Sequence, residues 1–153
     1  MILDADLSVP PEDLPKFWAA ITEGVCEFAN GTRLVYPMES QAMRTLNMIG
    51  NKLFSLIFSW IMDQRITDTL CGTKAVWKDD YTRIAANRAH FGDFDPFGDF
   101  DLLFGAARLG LKIREVPVRY RDRTYGTTNI SRWRHGLLLL KMSVIGAKRL
   151  RFR

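Results

Sequence analysis

At 153 residues, with 47% hydrophobic and 25% charged side chains, the chain is long enough for one buried core, and its composition excludes a disordered, collagenous or low-complexity protein. No apolar run reaches the roughly 18–20 residues that span a bilayer, and aspartate follows the first three apolar residues; neither a membrane-spanning helix nor a secretory leader is expected. The net charge of +5 hides a division: residues 1–107 hold 9 Lys and Arg against 15 Asp and Glu, and residues 108–153 hold 13 against 2. An acidic body with a basic tail predicts an anionic partner for the tail.

In chain order, "MILD" reads as a short buried strand ending at Asp4. "PPEDLPKFWAAITEG" reads as a helix with prolines in its first turn and Gly24 as its stop. "VCEFANGTRLV" predicts a strand running into a turn at Asn30-Gly31. From Ser40 to Met62 runs the longest helical candidate. Its polar residues Arg44, Asn47, Asn51, Ser55 and Ser59 recur every three or four positions and form one narrow stripe. The rest of Leu53 to Met62 is nearly all apolar, so this helix is either largely buried or lies against something greasy. "DTLCGTKAVWK" predicts a turn and a strand, "DDYTRIAANRA" a short helix capped by its aspartates, and "HFGDFDPFGDF" an aromatic, acidic loop. "DLLFGAARLG" predicts a helix closed by Gly110. "KIREVPVRY" predicts a strand that Pro117 confines to an edge or a bulge. The last helix, from about Ser131 to Leu150, carries Arg134, Lys141 and Lys148 at seven-residue spacing, a pattern suited to an interface. Strands alternating with helices indicate an α/β layer structure. Cys26 and Cys71 are expected as reduced thiols, with no partner at metal-ligand spacing.

Several groups are candidates for chemistry. Asp4 and Asp6, two apart on a strand, point to one side and supply hard oxygen donors of the kind that hold Mg²⁺ or Mn²⁺; a solvated turn with a helix-capping aspartate explains them as well. Asp99 and Asp101 open a helix, where the dipole favours negative charge. Arg119, Arg121 and Arg123 alternate, as befits bidentate phosphate contacts on one strand face or cations protecting an edge strand.

Taken in order, "DADLSVPPEDL", "NGTR", "DTLCGTK" and "GDFDLL…RLGLKIREVPVRYRDRTYGTTN" resemble family 2 glycosyltransferases, and among them the dolichyl- or polyprenyl-phosphate sugar synthases. The resemblance covers almost the whole chain. It implies the later part of a Rossmann-like GT-A domain over residues 1–130, lacking the nucleotide-binding strands that would precede residue 1. A basic amphipathic helix over residues 131–153 would then lie at the membrane interface. It further implies that Asp4 and Asp6 bind the divalent cation and the donor diphosphate. Asp99 and Asp101 would be catalytic, with Asp99 at the position of the acidic residue that often acts as the catalytic base. Arg33, Asp68, Arg119, Arg121, Arg123 and Thr127 would bind substrate. The implied reaction is an inverting sugar transfer from a nucleotide-diphosphate sugar to a polyprenyl or dolichyl phosphate, by a peripheral protein on the cytoplasmic face of a membrane, without nucleic acid. Two alternatives stand beside it: a non-catalytic remnant that binds lipid surfaces, and a transferase with a saccharide hydroxyl as acceptor. The sequence departs from the family pattern at Ser8, where glutamine is frequent, and at Gly98-Asp99, where Glu-Asp is frequent.

Overall fold

A computed structural model describes residues 1–3, 8–35, 45–91, 95, 98–121 and 132–152. Helix α1 (Leu14–Thr22) follows a single 3₁₀ turn at Pro11–Asp13, with proline in its first turn as the sequence predicts. Strand β1 (Phe28–Thr32) leads to helix α2 (Thr45–Met62), and strand β2 (Lys74–Val76) to helix α3 (Lys78–Ala86). Helix α4 (Phe100–Arg108) is closed by Gly110 at φ +70° and feeds strand β3 (Ile113–Pro117). Helix α5 (Arg132–Gly146) continues into a π-helical turn at Ala147–Arg151.

The three strands form a mixed sheet in the order β2-β1-β3, with β1 antiparallel to β2 and parallel to β3. This mixed α/β architecture is compatible with a partial Rossmann-like domain. Successive residues of β1 serve opposite faces. Phe28 joins a core built mainly from α2, α4 and α5, whereas Ala29 joins a smaller cluster under α1 with Phe17, Cys26, Cys71 and Val116. In the larger core Phe58 stacks on Phe100 at 4.9 Å between ring centroids and meets Phe104 at 5.5 Å, tying α2 to α4. Both cysteines are free and buried. Burial pushes the Cys71 thiol up to about 11, with the nearby Asp68 charge acting in the same direction, so it packs as a small apolar group.

Several predicted elements are corrected. The opening strand reduces, among the described residues, to one antiparallel bridge between Ile2 and Lys74; Asp4 lies outside them. Asn30-Gly31 is no turn but the middle of the central strand, wholly buried on both faces. The glycine is there for close approach: a Cβ at Gly31 would sit 2.5 Å from Cys71 Sγ and 3.1 Å from the Thr73 carbonyl oxygen. Gly31→Ala is therefore expected to cost roughly 1–3 kcal/mol by overpacking, read as a lower urea midpoint with unchanged slope. The cap of α3 is Trp77, with Asp79 and Asp80 inside the first turn. Among the described residues β3 stands at the predicted edge of the sheet, with Pro117 as its last residue. That strand ends before Arg119 and Arg121, so these two do not share a strand face; Arg123 lies outside the described residues.

From Asn51 onward the polar stripe of α2 turns inward. Asn51 and Ser55 are buried, while Leu53 and Leu56 on the other side are more than half exposed. The serine hydroxyls of the stripe find partners nearby. Ser55 Oγ donates to the Lys52 carbonyl oxygen at 2.7 Å, and Ser59 Oγ both donates to the Ile66 carbonyl and accepts from its N–H, each at 2.9 Å. Among the described residues no helix is long and apolar enough to cross a membrane.

Candidate functional site

Parallel β1 and β3 end on the same side of the sheet, the side where open α/β sheets gather ligands. Arg33 leaves β1 there, and its guanidinium grips Asp68 with Nε at 2.6 Å and Nη2 at 2.7 Å from the two carboxylate oxygens. The same carboxylate accepts the Arg33 backbone N–H at 3.1 Å, Asn51 Nδ2 at 3.2 Å and the Leu70 N–H at 3.1 Å. Asp68 is fully buried and the Arg33 side chain is 11% exposed. Burial alone would raise the Asp68 carboxyl, but hydrogen bonds and charge from Arg33, helped by backbone N–H donors, hold it below the usual carboxylate range. Arg33 also lies over the Tyr120 ring, with Cζ 5.1 Å from the centroid. Asp68 is thus the anchor of Arg33, and Asn51 on the inward stripe of α2 is part of that anchor.

The loop carrying Asp68 is held from β3 as well. Glu115 accepts the Thr67 N–H at 2.7 Å, the Thr67 hydroxyl at 2.8 Å and the Asp68 N–H at 2.9 Å. Asn30, buried in β1, donates to the Asp68 carbonyl oxygen at 2.8 Å. Three separate elements therefore fix one short loop, a degree of restraint suited to a site whose geometry must not drift.

A second ion pair follows six residues on. Lys74, the first residue of β2, is wholly buried, yet its ammonium donates to the Cys71 carbonyl oxygen and to Asp99 Oδ1 at 2.8 Å. Asp99 is the N-cap residue of α4 but makes no capping bond with its side chain. Its carboxylate reaches across to β2 instead and remains 17% exposed. Asp101, in the first turn of α4, diverges from it: its N–H donates to Asp95 Oδ2 at 2.9 Å, and its carboxylate faces Arg88 at 3.6 Å.

Asp13 forms a third anchor. Its carboxylate takes the Lys16 ammonium and the Arg119 backbone N–H, the latter at 2.7 Å, joining α1 to the segment after β3. The Arg119 and Arg121 side chains are exposed, and the Arg121 N–H donates to the Ser8 carbonyl oxygen at 3.0 Å. The 8–10 segment and the chain after β3 therefore meet at this end of the sheet. Asp4, Asp6, Arg123 and Thr127 lie outside the described residues, and among the described residues no cluster of three or more His, Cys, Asp or Glu forms a metal site.

The structure thus joins Arg33 to Asp68 and gives Asp99 a partner, Lys74, that the motif reading did not single out. Lys74, Glu115, Asp13 and Asn51 were missed as site-building residues. For Lys74 the available signal is a lone cation between Thr73 and Ala75 in a short strand with no alternation to carry it outward.

Over 141 residues, 92% of its length, the chain is 30% identical to the dolichyl-phosphate hexose transferase of Haloferax volcanii. Over 137 residues, 89% of its length, it is 28% identical to glycosyltransferase AglJ of the same organism. The chain spans 58% and 43% of the lengths of these two relatives. No protein-family profile matches it, and no solved structure does. The resemblance to dolichyl-phosphate sugar transferases carried by the motifs is borne out by these relatives.

Proposed function

We propose, on the premise of this kinship, that the chain forms the acceptor side of a GT-A glycosyltransferase. It moves a sugar, with inversion, from a nucleotide-diphosphate sugar to a polyprenyl or dolichyl phosphate at a membrane surface. The observation that carries this reading is the similarity to a dolichyl-phosphate hexose transferase along 92% of the chain. The restrained Arg33–Asp68 and Lys74–Asp99 pairs, gathered beside one end of the sheet, support it.

The acceptor chemistry follows from its charge. A phosphate monoester has a second pKa of about 6 and is mostly dianionic at neutral pH, so it needs cations to orient it more than a base to deprotonate it. Exposed Arg119 and Arg121, with Arg123 after them, supply those cations. Asp99, held by Lys74, borders the reacting centre and orders the acceptor's approach. Asp4 and Asp6 fit a divalent cation as a donor set, since two carboxylates are the hard oxygen ligands that Mg²⁺ or Mn²⁺ takes. When bound there, the cation neutralises charge on the departing diphosphate.

Titration calorimetry with a nucleoside diphosphate and Mn²⁺ tests the reading. Binding through the diphosphate and the cation is expected for the chain and is expected to be lost in Asp6→Asn; no binding by the unaltered chain counts against the transferase reading and for the non-catalytic one. In transfer assays Asp99→Asn is expected to be milder than Asp6→Asn. Equal and total loss in both points to a hydroxyl acceptor that needs Asp99 as its base.

A further inference from the structure

We propose that the outer face of α2, with the cationic C-terminal turn stapled to its end, is a docking surface for an anionic lipid bilayer. This deepens the membrane-surface part of the proposed function and rests on that reading for its partner.

The polarity of α2 is inverted. A helix on a soluble domain shows its polar stripe to water. Here Asn51 and Ser55 face inward, and Ile49, Leu53, Leu56 and Trp60 face outward, each between 51% and 65% exposed. Their spacing of four, three and four residues makes a single apolar stripe three turns long. Scattered exposed leucines are ordinary, but an aligned row of large apolar side chains marks a surface that meets something apolar.

The C-terminal turn extends that row. Phe152, 69% exposed, packs its ring 6.1 Å from Trp60 between centroids. Arg151 fastens the two segments: Nε donates to the Trp60 carbonyl oxygen at 2.8 Å, Nη2 pairs with Asp63 at 3.0 Å, and Cζ lies 5.4 Å over the Trp60 ring. An arginine at the last turn of α2 also complements the helix dipole.

Charge chooses the occupant. Lys52 on α2 is exposed, as are Lys148 and Arg149 beside Arg151, and residues 123–153 contain no Asp or Glu. A second copy of the chain would set these cations against their own likeness. An anionic leaflet receives them, while its acyl boundary takes the leucines and its headgroup layer the Trp60 and Phe152 rings. Because no described helix is long and apolar enough to cross, α2 lies along the surface.

Sedimentation of the full chain with vesicles tests this, using phosphatidylcholine with or without phosphatidylglycerol. Binding to the anionic vesicles is expected to exceed binding to the neutral ones by tenfold or more, at about fivefold per engaged cation, and to fall in high salt. Leu53→Glu/Leu56→Glu is expected to weaken it at least about tenfold with an unchanged circular dichroism spectrum, because both side chains already face solvent. Lys148→Glu/Arg149→Glu is expected to abolish the preference for anionic vesicles. Val25→Glu, at an exposed apolar residue in the turn after α1, is expected to change nothing. The proposal is overturned if the unaltered chain ignores anionic vesicles, if both double variants bind normally, or if Val25→Glu loses as much. It is also overturned if the face joins two copies, seen as a dimer that Leu53→Glu/Leu56→Glu dissolves while vesicle binding persists. The vesicles hold no polyprenyl phosphate and no sugar nucleotide. A chain that binds them yet ignores nucleoside diphosphate therefore loses the transferase reading and keeps this one.

Discussion

Asp68→Ala is expected to destabilise the chain by about 3–5 kcal/mol, the cost of stranding one member of a buried ion pair. Against a total stability of roughly 5–15 kcal/mol for a domain, that is enough to unfold much of the population. The loss is not one contact. The Arg33 guanidinium, only 11% exposed, would face an empty site, and the N–H groups of Arg33 and Leu70 and the Asn51 amide would lose their acceptor together. Asp68→Asn keeps the volume but turns an amide donor toward guanidinium donors, so it is expected to cost nearly as much. Removing both charges, as in Arg33→Met/Asp68→Leu, is expected to cost less than Asp68→Ala, since no buried charge remains uncompensated. Urea denaturation of the four proteins decides the point. Similar midpoints for Asp68→Ala and the unaltered chain would show that the pair contributes little.

The same pair sets an acid limit. A carboxylate whose folded pKa lies below its unfolded value of about 3.9 contributes stability that is complete above that pH. The contribution is lost as the pH falls through the lower, folded value. Asp68 and Asp13 are both held low, Asp68 by Arg33 and Asp13 by Lys16 and the Arg119 N–H, each against the opposing effect of burial. Stability is therefore expected to be flat with respect to these two groups from neutral pH down to about 4, and to fall below it. In Arg33→Met/Asp68→Leu the fall is expected to be shallower.

What the sequence conveyed and what it hid follow one physical division. Elements with a strong local signal were legible: proline and Gly24 bracket α1, Gly110 closes α4, and Pro117 marks the end of an edge strand. Asn30-Gly31 misled because the pair is a strong turn signal locally, and the tertiary demand for a small residue against Cys71 overrides it. Periodicity revealed the polar stripe of α2 but not its direction, because one stripe serves equally as a wet face or as a set of buried hydrogen-bonding groups. The anchors were hidden for a different reason. Asp68 lies 35 residues from Arg33, Glu115 47 residues from Asp68, and Asp13 106 residues from Arg119. A charged residue in a single sequence looks solvated until its distant partner is placed beside it. The motifs named Arg33, Asp68 and Asp99 as important without revealing that two of the three would be tied to each other and the third to a lysine.

The Lys74–Asp99 pair is expected to respond asymmetrically to substitution. Lys74 is wholly buried, whereas Asp99 is 17% exposed at the start of α4. Removing the carboxylate, as in Asp99→Ala, leaves a buried ammonium on the Cys71 carbonyl oxygen without its counter-charge, at about 3–5 kcal/mol. Lys74→Met keeps the length of the side chain and leaves a carboxylate that water reaches from one side, so its cost is expected to stay near 1–2 kcal/mol. Asp99→Asn falls between them, because the amide oxygen still accepts from the Lys74 ammonium. This ordering separates folding from chemistry. If Asp99→Asn is clearly more stable than Asp99→Ala but is as slow in the assay of the proposed transfer, the loss belongs to the carboxylate's charge and not to a disordered α4. Urea midpoints of the three variants give the ordering. Lys74→Met as the most damaging of them would mean that the buried ammonium serves the Cys71 carbonyl, and through it the Asp68 loop, more than it serves Asp99.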